Sequence, residues 1–417
     1  MVRKAWIDAR HPMVNQRLWG LTLLERNLRE LEILGIEEVV VVRADSEDPP
    51  TYFCHGMPKL LKIHFEDATS SDSFESLRAE LVRSKELTLV LEGHALNDRR
   101  VLRNLIEAHA VCGVISPSGS KQAGAAVLST SEASLFENSS SAKLSALLSE
   151  AIRNSKIRAL SLSEFETYIA SLRRKVEPYL LSVESTDQLK EADQILRHLS
   201  HKGVLEFVTH YIYAPLEFAA TRLLACTPIT PNQITILWVF LACLTVFLFA
   251  TGHLLSGVVI AVVSGVLDGI DGKLARLTLR FSKFGDLLDH VTGTVYDGLA
   301  YLALGWYFSG GDLASTAARF TLVLFIAYSV ERIVPGIFKK LHGAEIHDYA
   351  ELDKVVRLLG SRMDNNIWLL MFGTVFGWPR EAFYAICVWM VATAGWHTLR
   401  LFWVTLSTRA KKPVLTS

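Results

Sequence analysis

Asp268, Asp271, Asp286 and Asp289 stand within two strongly apolar stretches. A carboxylate there is expensive unless it faces a cavity, a metal or a partner. Asp268 and Asp271 close the apolar run 254–267, and Asp286 and Asp289 open a second run that continues through Tyr301, Leu302 and Trp306. Each pair is spaced i, i+3, which puts both carboxylates on one face of a helix. Two such helices side by side offer a cage of hard oxygen donors, a chemistry that suits magnesium, manganese or calcium. Gly269, Gly272 and Ala275 remove bulk beside them, so a phosphate or a second helix can approach closely. Arg276 adds a guanidinium whose fork matches phosphate oxygens.

Helices at membrane depth must position these groups. Six apolar segments are available, at about 234–251, 254–271, 285–309, 314–337, 366–379 and 381–407. Half of the 417 residues (50%) are hydrophobic, and the excess is concentrated in 234–407, while 1–225 carries most of the charge. Lys273, Arg276, Arg280 and Lys283 lie between the second and third segments, and Lys339, Lys340, Lys354, Arg357 and Arg362 between the fourth and fifth. Arg409, Lys411 and Lys412 follow the sixth, whereas the opposite connections hold only His253, Asp312 and the pair Arg380 and Glu381. That asymmetry predicts a multi-pass protein of the inner or cell membrane with both termini, the soluble half and the Asp cluster on the cytoplasmic side. No apolar run follows MVRKAWIDARHP, so no cleaved signal peptide is expected. Lys+Arg and Asp+Glu are both 43, and this balance gives no reason to expect nucleic acid as a partner. The cysteines (Cys54, Cys112, Cys226, Cys243 and Cys387) lack metal or disulfide spacing and read as reduced.

Residues 1–165 alternate short β-rich runs with helical segments. An amphipathic helix is predicted over 21–34, ended near Gly35, and buried strands over 38–42 and 87–91. A second helix follows over 101–110, strands over 113–116 and 125–128, and a helix over 143–154. This alternation predicts an α/β domain with a mostly parallel sheet. Residues 166–203 read as a charged helical connector, and 204–232 as an amphipathic helix at the membrane interface, with Phe207, Tyr211, Tyr213 and Phe218 interleaved among polar residues.

Asp268-x-x-Asp271-Gly272-x-x-Ala275-Arg276, eight residues, then Gly285-x-x-x-Asp289 resembles the signature of the CDP-alcohol phosphotransferases. The resemblance implies an integral-membrane transferase that passes a phospho-alcohol from a CDP-alcohol donor to an acceptor alcohol or lipid, with release of CMP. It implies Mg2+ or Mn2+ held by Asp268, Asp271 and Asp289, and cytidine diphosphate contacts from Asp268, Gly272, Ala275 and Arg276. Asn232, in the Thr230-Pro231-Asn232 entry to the first span, falls near the nucleotide phosphates by the same resemblance, which also implies a homodimer among membrane lipids. The N-terminal half is similar, more distantly, to nucleotidyltransferases of the sugar-nucleotide type, through residues 21–42 and the stretch around 87–106. The expected architecture is therefore two-domain: a Rossmann-like nucleotidyltransferase-like α/β domain (1–165) and an all-α six-helix transmembrane domain (233–410). The same order occurs in bifunctional inositol-1-phosphate cytidylyltransferase/di-inositol-phosphate-phosphate synthases.

Two departures matter. The family pattern places a further Asp four residues after Asp289, where this chain has Gly293. In the family that carboxylate shares the metals and is the proposed general base. Asp289, His290 and Asp297 lie on the face of Gly293 and are the candidates for its catalytic work, with Asp286 and Asp297 available to complete the metal sites. In the N-terminal half, Ala9-Arg10-His11-Pro12-Met13 offers no glycine for a phosphate loop, and Glu92-Gly93-His94 stands where those enzymes carry an Asp. That half is expected to be degenerate and to lack cytidylyl transfer. Two alternatives stand beside the single transferase: a bifunctional enzyme, and an impaired family member acting as membrane scaffold or nucleotide sensor.

Overall fold

A computed structural model describes residues 2–44, 55–68, 74–84, 86–115, 124–137 and 143–410. Cys54, Ser116, Lys411 and Lys412 lie outside the described residues. The near-continuous apolar runs of the N-terminal half build one sheet buried on both faces, as parallel strands require. Its strands are β1 (Lys4–Ala9), β4 (Glu38–Arg43), β5 (Lys62–Asp67), β6 (Thr88–Glu92), β8 (Cys112–Ile115), β9 (Gly124–Leu128) and β10 (Arg158–Ala159). They lie in the order β10-β8-β9-β6-β1-β4-β5, parallel except that β9 runs against both of its neighbours. Helices α1 (Leu23–Ile33), α2 (Glu75–Ser84), α3 (Arg99–Glu107) and α4 (Leu144–Arg153) cover it. The expected α/β class is thus the observed one. β5 and α2 escaped the sequence reading because neither shows a continuous apolar run: β5 is nowhere fully buried, and α2 buries only Leu77, Glu80 and Leu81.

Between β1 and α1 the chain makes a small hairpin, β2 (Arg17–Leu18) and β3 (Leu21–Thr22). Its turn residues Trp19 and Gly20 have φ of 53° and 75°, the left-handed pair of a type I′ turn. Thr22 then caps α1 by accepting from the Glu25 amide at 3.0 Å.

The predicted helical connector over 166–203 is corrected. Only α5 (Thr186–Ser200) is helical, and β11 (Tyr168–Ile169) and β12 (Arg174–Lys175) pair before it. β13 (Leu180–Ser182) pairs antiparallel with β7 (Ala95–Asn97), so this stretch is stitched into the α/β half. The charges of Arg173, Arg174 and Lys175 masked the apolar Leu180-Leu181, which is a strand by burial rather than by length.

A π-helical turn (Thr209–Tyr213) leads into α6 (Ala214–Leu224). The rest is helical: α7 (Pro231–Ala250), α8 (Leu254–Thr278), α9 (Lys283–Ser309), α10 (Thr316–His342), α11 (Glu351–Leu359), α12 (Met363–Val375) and α13 (Pro379–Ala410). Among the described residues four of them, α7, α8, α10 and α13, are long and apolar enough to cross a membrane. α12, with 13 residues, is about 20 Å long and falls short of a ~30 Å hydrocarbon core. One hydrophobic core joins the two halves: Leu18, Trp19 and Leu23 pack with Phe218, Ile270 and Leu277.

Candidate active site

α7 packs against both α8 and α9, and the signature residues lie on α8 and in the first turns of α9. Ser282 caps α9 by accepting from the Gly285 amide at 3.1 Å, and Asn232 at the start of α7 donates to the same hydroxyl at 3.1 Å. Gly285 has no room for a Cβ, because the Asn232 side chain lies against it. Asn232 thus joins the starts of α7 and α9, a role its expected place near phosphates did not include.

Asp268 of α8 and Asp289 of α9 line one cavity, close enough for their carboxyl groups to interact. Asp271 is buried and turned toward α7, where its Oδ2 accepts from the Thr235 hydroxyl at 2.5 Å. Arg276 folds back over Gly272, where an added Cβ would sit 3.2 Å from the guanidinium, and its Nε donates to the Ser200 carbonyl at 3.0 Å. The Ala275 carbonyl accepts from the Leu279 and Arg280 amides and closes α8.

The expected four-carboxylate cage is corrected in part. Among the described residues no three acidic, histidine or cysteine side chains are grouped to hold a metal ion. Asp286 stands exposed in the first turn of α9 and lines neither of the two cavities described below. The carboxylate there meets the positive end of the helix dipole. Asp297 lies about two turns beyond Asp289 and is ion-paired with Arg332. The side chain of His290 lies outside the described residues. Lys273, read from sequence as a topology charge, instead forms a buried ion pair with Glu217 of α6. Gly269 makes room for that carboxylate, since a Cβ there would collide with it.

Two adjoining cavities of about 290 and 320 Å³ share Asp268, Lys202, Glu206, Arg332, Arg362 and Asp364. The first also holds Asp289, Gly293 and Asp297. A Cβ built on Gly293 meets nothing within 4 Å, so the place of the family's last Asp is open space. The second adds Arg173, His347 and Arg357. Its cations are largely engaged: Glu206 accepts from Arg357 at 3.0 Å and Arg362 at 3.3 Å, and Glu331 pairs with Arg362 at 3.4 Å and His397 at 2.6 Å. Arg173 and Lys202 have no carboxylate within ion-pair reach among the described residues. His347 Nδ1 and Arg357 Nε are buried without a partner. Arg332, at the end of the fourth apolar segment, and Arg362, just before the fifth, are legible from sequence as residues that could line an acceptor pocket. Lys202, Glu206 and His347 were not, because nothing in their neighbourhoods announces a contact with residues far along the chain.

A family model for CDP-alcohol phosphatidyltransferase matches residues 228–340, which contain the whole Asp268–Asp289 motif. The chain is 27% identical over 245 residues to a bifunctional IPC transferase and DIPP synthase of Aquifex aeolicus, covering 57% of this chain and 54% of that one. It is 39% identical over 94 residues to an archaetidylinositol phosphate synthase of Pyrococcus horikoshii, covering 22% of this chain and 49% of that one. The chain therefore spans about half the length of these relatives. Among solved structures it is similar to a Mycobacterium tuberculosis phosphatidylinositol phosphate synthase with CDP-DAG bound, at 18% identity and a TM-score of 0.34, covering 46% of this chain and 94% of that one. It is also similar to the inositol-1-phosphate CTP transferase from T. maritima, at 13% identity and a TM-score of 0.34, with coverage of 46% and 94%.

In the α/β half, β1 lies between β4 and β6, so the chain reverses direction across the sheet at the carboxyl ends of β1 and β6. Ligands bind at such a switch point in open α/β sheets. Here the place is filled. Glu92 pairs in register with Asp8, and one of its oxygens accepts from the Ser145 amide at 3.0 Å while the other has no partner. His94 stacks on His11 at 4.4 Å between ring centroids, and Asp8 is held by Arg10 at 2.7 Å. Burial pushes the Glu92 carboxyl from 4.5 up to about 7 and the His94 imidazole down to about 4. Because the Glu92 value is raised on folding, the stability it contributes is full below about pH 4.5 and is lost as pH rises through 7. The shift corresponds to roughly 3 kcal/mol. The His94 imidazole, lowered to about 4, gains stability as pH rises to its ordinary value and offsets most of this loss. Hydrogen exchange of the β1 and β6 amides is therefore expected to report opening energies that change little between pH 5 and 8 and that rise by about 2 kcal/mol in Glu92→Gln.

Proposed function

We propose that the protein is a divalent-metal-dependent, membrane-embedded phosphotransferase that moves a phospho-alcohol from a CDP-alcohol to an acceptor hydroxyl and releases CMP. The observation that carries this reading is the placing of Asp268 and Asp289 on one polar cavity, within the matched family motif. Two carboxyl groups this close repel when both are ionised, and a proton or a cation between them relieves this. Their all-oxygen donor set fits magnesium or manganese, and Asp271, three residues after Asp268 on α8, is the further carboxylate that would join it. Bound there, the metal would neutralise the pyrophosphate and stabilise the attacking and leaving oxygens.

The chain's own groups do the rest. Gly272 lets the Arg276 guanidinium lie close to α8, where it can take phosphate oxygens of the donor. The acceptor oxygen bonds to the β-phosphorus, the bond from that phosphorus to the CMP oxygen breaks, and the acceptor's proton leaves to a base in the cavity. Asp289, one turn before the open position at Gly293, is the carboxylate placed to receive it. Asp297 is ion-paired with Arg332 and shapes the cavity instead.

Arg173 and Lys202, together with the buried unpartnered nitrogens of His347 and Arg357, favour a water-soluble anionic acceptor, such as a phosphorylated polyol, over an apolar one. The excess of Lys and Arg on one set of connections supports a cytoplasmic active face. α9 and α12 complete a six-span bundle in this reading. The α/β half is read as having no cytidylyl transfer of its own, given its filled switch point. The names of two-activity relatives favour a second reading, in which that half makes the CDP-alcohol.

CMP release from a panel of CDP-alcohols by the purified protein in detergent, with magnesium or manganese, tests the first reading. Turnover is expected with phosphorylated polyols and not with diacylglycerol as acceptor. No release with any donor or acceptor would overturn it. CMP release that also appears when CTP and a phospho-alcohol replace the CDP-alcohol would favour the second.

A further inference from the structure

The segment between β1 and α1 does not form a nucleotide cradle; it clasps the membrane half. Gly20, at the tip of the β2–β3 hairpin, sits so close to the end of α6 that an added Cβ would run into the Ala225 carbonyl. Beside it, Trp19 packs on Phe218 at 6.1 Å between rings and lies under the Arg222 guanidinium at 4.9 Å. Arg26 of α1 is buried at 3% exposure, and its Nη2 donates to the Leu277 carbonyl at 2.6 Å and to the Leu18 carbonyl at 3.3 Å. Leu277 belongs to the last turn of α8, where carbonyls lack partners within the helix and the dipole favours a cation. The neighbouring Arg276 is tied to the Ser200 carbonyl at the end of α5. α8 is thus held at its motif-bearing end by two elements of the N-terminal half, over a shared apolar core.

We propose that Arg26 is a positioning residue for the phosphotransfer site: by fixing the end of α8 it sets where Asp271 and Arg276 stand. This rests on the reading of α8 and α9 as the donor site. It gives the α/β half a task that needs no chemistry of its own. Arg26 touches no substrate; it acts through the α8 backbone, about 9 Å from Asp271 along the helix axis.

The test uses the full chain in detergent, with Arg26→Met, Arg26→Lys and Gly20→Ala. KM and kcat for the CDP-alcohol are measured by CMP release, CDP affinity by calorimetry, and folding by thermal unfolding. Arg26→Met is expected to weaken CDP binding and raise KM by roughly tenfold to a hundredfold, as small misplacements of a binding group do, with kcat changed less. Arg26→Lys, which keeps the positive charge beside the α8 carbonyls on a slightly shorter stem, is expected to recover part of that loss, and Gly20→Ala to move the same two quantities in the same direction. Should Arg26→Met fail to fold, the other two variants carry the readout. Unchanged KM and CDP affinity in the folded variants would overturn the proposal, as would an Arg26→Lys no better than Arg26→Met. If the wild type binds CDP but releases no CMP, the proposed reaction fails while CDP affinity still decides the role of Arg26. A wild type that does neither overturns both.

Discussion

Asp271→Asn is expected to reduce CMP release by on the order of 10³-fold while leaving the fold intact. The Asp271 carboxylate is buried at 6% exposure, and its Oδ2 accepts from the Thr235 hydroxyl at 2.5 Å. Asparagine has the same shape and can still accept that hydrogen bond through its amide oxygen, so packing between α7 and α8 survives. What goes is the negative charge, and with it a donor that a hard divalent cation requires. Thr235→Val makes the complementary change: it keeps the charge and removes the hydroxyl that orients it. Loss of such an outer contact costs about tenfold to a hundredfold in metal affinity or activity. The two variants should therefore separate by metal titration. Added manganese should restore much of the Thr235→Val activity and little of the Asp271→Asn activity. Equal loss in both, insensitive to metal, would mean that Asp271 serves packing alone.

The membrane half was largely legible because its signals are local. Apolar runs announce helices, and the motif spans only 22 residues, so spacing alone puts Asp268 and Asp271 near the end of one helix and Asp289 near the start of the next. The α/β class was legible for the same reason, since the Val39–Val42 run and the Leu89–Leu91 run are buried strands whatever surrounds them. What escaped was long-range. Arg26 meets the Leu277 carbonyl across 251 positions, and Arg362 reaches Glu206 across 156. Neither contact leaves a periodicity to read. The same limit explains Lys273: a lysine after an apolar run looks like a headgroup anchor until α6 brings Glu217 against it. Asp297 is the converse case. Its place on the face of Gly293 suggests a spare carboxylate, and its partner Arg332, 35 residues on, is not announced by any local signal.

Gly293→Asp is expected to raise turnover by about 10²-fold or more, the usual contribution of a positioned general base. The position lies one turn beyond Asp289 on α9 and lines the cavity that holds Asp268, Asp289 and Asp297. A Cβ there meets nothing within 4 Å, so the new side chain displaces no neighbour. Replacing a helix-interior glycine also removes a penalty of up to about 1 kcal/mol relative to Ala, part of which Asp retains. Against these gains stands the repulsion of a second carboxylate four residues from Asp289, worth only tenths of a kcal/mol on an exposed helix and more in a cavity at membrane depth. Lys202, Arg332 and Arg362 line the same cavity and offset part of that charge. A divalent cation offsets the rest, so the variant should also need less magnesium for half-maximal rate. The two effects must appear together if the added group works as both metal ligand and base. A higher rate with unchanged metal dependence would assign it the proton alone. Lower turnover in a folded variant would mean that the open space at Gly293 is kept for the acceptor, whose hydroxyl would then have to lose its proton to Asp289.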